Sequence, residues 1–144
     1  MTAPDSTNAA RRAAALSDPL TVSRMYWAMR LAVSFIWLWT AFVSWWVHPH
    51  ADSIALLQRC GITVHTDLVF AVSCLLDLVL GSASCVLARA WLWWGQFAVV
   101  AAYSLVICWY LPEFVLHPFA PITKNVFVLI CLGLLAVADQ RREA

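Results

Sequence analysis

Four apolar runs dominate this chain, and no arrangement in water hides them. Met25–Val47, Leu68–Leu87 and Ala90–Leu111 are each long enough to cross a bilayer, which takes about 20 residues for a roughly 30 Å hydrocarbon layer. The fourth run, Val126–Ala138, covers only about 20 Å at 1.5 Å per residue. It needs residues 121–125 to complete it, and proline suits a first helical position because its missing N–H costs nothing there. The last helix is therefore expected to begin near Pro121, with Lys124 and Asn125 below the membrane surface.

Of 144 residues, 63% are hydrophobic and 12% charged, against about 45–50% and 25% in ordinary soluble domains. Lipid is the expected solvent for an all-α, four-helix up-down bundle. A formal net charge of +1 gives no reason to expect nucleic acid; lipid is the default partner.

Arg11, Arg12, Arg24, Arg89, Arg141 and Arg142 flank one side of the spans, and Arg59 and Lys124 the other. The positive-inside rule then places both termini in the cytoplasm, and a bacterial inner membrane is the expected location. Residues 1–22 read as a flexible cytoplasmic tail with a short helix over Asn8–Leu16, because Ser17-Asp18-Pro19 interrupts the pattern. The membrane domain is 23–140, and 141–144 is a cytoplasmic tail. Between the first two spans, Asp52 or Ser53 is expected to cap a short interfacial helix ending at Gly61.

Polar residues recur at steps of three and four along the spans: Arg30, Ser34, Trp37, Ala41, Ser44 and His48 on the first, Cys74, Asp77, Gly81 and Ser84 on the second. On the third, Gln96, Tyr103 and Tyr110 are seven apart. Such spacing puts residues on one helix face, and small or polar faces meet other helices in membranes. A carboxylate at a helix centre costs about 2.5–3.5 kcal/mol on insertion scales, so Asp77 needs a partner, a proton, water or a ligand. Arg30 lies some 9 Å away in depth at 1.5 Å per residue and is the expected partner. The bland reading is a buried pair that fixes register; the sharper one is a proton or ligand site.

The stretch "LPEFVLHPFAPITKN", residues 111–125, is expected to dip into the bundle as a lid, bringing Glu113, His117, Lys124 and Asn125 to the mouth of a pocket above Asp77. His48, His50 and His65 share that side and are metal-ligand candidates by residue type, but they lack an HxxxH or HExxH spacing. The five cysteines show no CxxC pair, so no disulfide framework or zinc module is indicated; Cys60 alone falls in a polar connector. No phosphate-cradling loop, dinucleotide fingerprint or nucleophile–base motif occurs.

"MRLAVSFIWLWTAF", "LLDLVLGSA" and "PEFVLHPFAPITKN" resemble the DoxX-like family of small integral membrane proteins, in the branch also found fused to dehydrogenase-type domains. The resemblance runs from about Arg24 to Asp139. It implies a four-helix bundle with Arg30, Trp37, Asp77, His117, Pro118, Lys124 and Asn125 at motif positions; Ala41 and Ala120 stand where glycine is expected. It also implies a link to redox systems, with quinone as the cofactor class and a redox protein or a second copy of the chain as partner. The leading expectation is a non-catalytic subunit or small-ligand bundle, with Tyr103 among the pocket residues. The alternatives are a small proton-coupled carrier centred on Asp77, and a membrane oxidoreductase using His117 as proton donor and Lys124 as anion clamp.

Overall fold

The computed structural model describes residues 18–116 and 121–143. Helix α1, Pro19–Phe42, runs on through a π-helical turn, Val43–Val47. Then follow α2, His50–Arg59; α3, Thr66–Val86; α4, Ala90–Tyr110; α5, Glu113–Leu116; and α6, Pro121–Glu143. Four of the helices are long and apolar enough to span a membrane: α1 with its π turn, α3, α4 and α6. All described regular structure is helical, which makes this an all-α membrane bundle.

Helix boundaries follow local chemistry. Asp18 caps α1, its carboxylate accepting from the Thr21 backbone N–H at 3.1 Å, and Pro19 occupies the first turn. That pair starts a helix, so the first span begins six residues before Met25. Residues 19–22 belong to α1, and α6 runs to Glu143; the helix expected over Asn8–Leu16 lies outside the described residues. Helix α2 starts at His50 after Pro49, with Asp52 inside its first turn and no side-chain cap. Gly61, at φ +85°, supplies the left-handed residue beyond its end, a conformation glycine adopts without strain. Helix α6 begins at Pro121, as the short fourth run required.

The spans pack as two close pairs, α1 with α3 and α4 with α6, and a lighter α1–α6 contact joins them. Gly81 sets the first pair: a Cβ there would lie 2.8 Å from Leu38 Cγ and 3.1 Å from the Leu38 backbone nitrogen. Tyr26, Val33, Trp37, Trp93, Val100, Leu132, Leu135 and Ala136 form the core. Outward faces are apolar too; Phe35, Trp39, Phe42 and Trp46 form a run of neighbouring rings along α1, as suits a helix solvated by lipid. The Pro19 and Glu143 ends of the bundle coincide, with Arg142 Cζ 4.2 Å from the Tyr26 ring centroid. Opposite this terminal end lies a loop end carrying α2 and α5, held together by an Arg59–Glu113 ion pair.

Candidate functional site: a cavity at an unpaired buried carboxyl

The polar stripes of α1 and α3 converge as their spacing requires. Arg30, Ser34, Trp37 and Ala41 are buried on α1, and Cys74, Asp77, Gly81 and Ser84 on α3. On α4 the seven-residue spacing holds only in part, since Gln96 is fully buried while Tyr103 is 39% exposed and Tyr110 47%. A straight helix drifts by about 20° per heptad, and over two heptads that drift carries Tyr110 off the seam.

Arg30 does not pair with Asp77. Its Nε and Nη2 donate to Ser84 O at 3.1 and 2.8 Å, and Nη2 also reaches Cys85 O and Leu87 O at 3.0 and 3.1 Å. Its Cζ lies 4.6 Å from the Trp27 ring centroid. The last carbonyls of a helix lack internal donors and carry the negative end of its dipole, so the broken end of α3 outcompetes a carboxylate about two turns deeper. Beside this cap, Ser34 Oγ donates to Gly81 O at 2.7 Å. Trp37 Nε1 donates to Gln96 Oε1 at 2.8 Å, Gln96 Nε2 to Ser84 Oγ at 2.9 Å, and Ser84 Oγ to Leu80 O at 2.8 Å. This chain ties α1, α4 and α3 together, and each donor in it is matched.

Asp77 is the exception. It is 7% exposed, and its Oδ1 is buried with no hydrogen-bond partner. It lines a cavity of about 130 Å³ together with Ile36, Trp37, Thr40, Val100, Tyr103, Asn125 and Val128. All four spans contribute to that wall, in the half of the bundle nearer the loop end. Asn125 is held by Nδ2 donating to Ser104 Oγ at 2.9 Å, which itself donates to Val100 O. Trp37, Asp77, Tyr103 and Asn125, expected as site residues, thus share one chamber.

The other expected residues fall elsewhere. Lys124 lines a separate groove between α1 and α6. Glu113 clasps Arg59 at the loop end; its own backbone N–H and the Arg59 guanidinium hold its carboxyl below the usual carboxylate range. His117 and Pro118 lie outside the described residues, and with them the centre of the expected lid. Among the described residues no cluster of three or more His, Cys, Asp or Glu is placed for a metal. His50 Nε2 sits 2.9 Å from Asp67 Oδ1, His48 faces Pro49 O and Ser53, and His65 adopts φ 53° before α3.

One buried acid was missed by sequence reasoning. Asp139, 1% exposed, accepts from Tyr26 Oη at 2.9 and 2.8 Å and from Trp93 Nε1 at 2.7 Å. Its signal was available: Leu132, Leu135 and Asp139 are spaced by three and four, which extends the buried face of α6 by one turn.

A sequence model of the DoxX-like family matches residues 34–133. No curated protein and no solved structure matches the chain significantly.

Proposed function

The chain belongs to the DoxX-like family, and on that premise we propose that it is a ligand-binding membrane bundle, without catalysis of its own, whose site is the Asp77 cavity. One observation carries the reading: a carboxyl oxygen is sealed from solvent without a partner beside a cavity, while the other buried side-chain nitrogens and oxygens among the described residues are matched. An unpaired buried polar group costs about 1–3 kcal/mol, and a ligand hydroxyl placed there recovers it. A chamber of about 130 Å³ suits a single ring, since a cavity of about 150 Å³ accommodates benzene. Quinol is the ligand class this favours: one hydroxyl donates to Asp77 Oδ1, with the ring between Trp37 and Tyr103. The distribution of arginines supports placing both termini in the cytoplasm of a bacterial cell, which would present the terminal end to a redox partner.

Native mass spectrometry from mild detergent with added hydroquinone tests the proposal. Wild-type protein is expected to retain the quinol, and Asp77→Asn to lose at least about tenfold in occupancy, the equivalent of 1.4 kcal/mol. Equal retention by both proteins, or by neither, overturns it. The same unpaired carboxyl favours a second reading, a proton-coupled carrier; proton flux into reconstituted vesicles that vanishes in Asp77→Asn would select it.

A further inference from the structure

Among the described residues, one groove on the lipid-facing surface borders the Asp77 cavity and a larger one does not. The larger, about 550 Å³, runs between α1 and α3 past Phe42, Trp46, Leu75 and Leu78. It shares no lining residue with the cavity, and behind it the helices are pinned by the Gly81–Leu38 approach and the Ser34–Gly81 hydrogen bond. The second, about 300 Å³, lies between α1 and α6 and is lined by Ala32, Val33, Ile36, Lys124, Phe127, Val128 and Cys131. Ile36 and Val128 line both this groove and the cavity, so the two spaces share a wall of two aliphatic side chains. They belong to the two helices that join the bundle's halves by its lighter contact.

We propose that the α1–α6 groove is the lateral entrance to the Asp77 cavity and the seat of the ligand's tail. The ligand is then a single-chain amphiphile that arrives from the lipid phase, with a hydroxyl-bearing ring as its head. This rests on the reading that the cavity takes such a head group. The head meets Asp77 after side-chain shifts at Ile36, which is 41% exposed, and at Val128, which packs partly buried against the core. The chain lies along Phe127 and Cys131, and the Lys124 stem covers its outer part while the ammonium reaches for the interface. Lining this apolar would give a water-soluble solute no path, whereas an acyl or isoprenoid chain exchanges one hydrocarbon surface for another at little cost.

The test uses the full chain in lipid nanodiscs and a 4-alkylphenol with a diazirine at the end of its alkyl chain. Phenol binding is measured separately on wild type and Asp77→Asn. Photolabelling is expected on Ala32, Phe127 and Cys131, competed away by unlabelled 4-nonylphenol and reduced about tenfold or more in Asp77→Asn, the loss expected for a hydrogen bond of about 1.4 kcal/mol. Ile36→Trp, which places its bulk at an outward position, is expected to slow labelling without lowering the yield of folded protein. Labels spread over all lipid-facing surfaces, or concentrated on Leu75 and Leu78, overturn the entrance while Asp77-dependent phenol binding leaves the cavity reading intact. Phenol binding that is absent, or unchanged in Asp77→Asn, overturns both.

Discussion

Two buried aspartates in this bundle make opposite predictions. Asp139 takes hydrogen bonds from Tyr26 and Trp93, so removing it orphans two buried donors. Asp139→Ala is expected to destabilise by about 2 kcal/mol, between the modest worth of hydrogen bonds in membranes and the cost of unmatched buried groups. Asp77 has an oxygen with nothing to lose; Asp77→Leu is expected to stabilise by about 1 kcal/mol once that desolvation cost is gone. Denaturation by sodium dodecyl sulfate in mixed micelles measures both, and the same sign for the two variants would refute the contrast. The sequence announced one acid and concealed the other for a physical reason. Asp77 interrupts an apolar run at mid-depth, while Asp139 sits beside Gln140, Arg141 and Arg142 and looks like the edge of a span. Arg30 was misassigned for a different reason. Depth along the axis can be counted from residues, and the run itself ends at Leu87, but neither shows that the free carbonyls of Ser84, Cys85 and Leu87 take the guanidinium.

At the level of elements, helix starts were readable wherever side-chain chemistry sets them. Pro121 opened α6 because the run behind it was too short to cross without help. Asp18 and Pro19 carried the same information for α1, and it was overlooked because the pair followed a polar segment. How closely helices approach was less legible: spacing put Gly81 on a helix-facing stripe but did not say that the Leu38 backbone lies against it. Gly81→Ala must push α1 from α3, with an expected loss of about 1–3 kcal/mol, as for other overpacked sites. Gly95 and Gly133 have nothing within 4 Å of an added Cβ, and alanine at either is expected to stabilise its helix by about 0.5–1 kcal/mol. Thermal unfolding in detergent distinguishes the two classes.

For the molecule as a whole, the loop end depends on charge and the terminal end on buried hydrogen bonds, so the two should respond differently to acid. Glu113 is more acidic in the folded protein than in the unfolded chain. Its pairing with Arg59 therefore contributes fully above the unfolded carboxylate value and fades as pH falls through the lower, folded one. Hydrogen exchange at α2 and α5 is expected to accelerate on acidification into that range, after correction for intrinsic rates, while amides around Tyr26 and Trp93 keep their protection. That the Pro19 and Glu143 ends share one side of the bundle and that its interior carries polar groups was foreseeable from span number, charge and spacing; that the spans pack as two close pairs was not. A pocket above Asp77 was expected, but its size and lining were not legible, because empty volume depends on how Trp37, Val100 and Val128 fill the space between helices, and residue lists carry no record of fit.

The π-helical turn at Val43–Val47, closed by the His48 N–H on Val43 O at 2.8 Å, winds one residue more into its length than an α-helix would. Such a turn is a site where chain length is negotiable. Deleting Ser44 should let the turn relax to α-helical winding with Trp45 still stacked on Phe70. The same deletion at Ser34 would rotate everything beyond it by about 100° and scatter the seam. If both shortened proteins fold equally well, or both fail, the turn has no such tolerance.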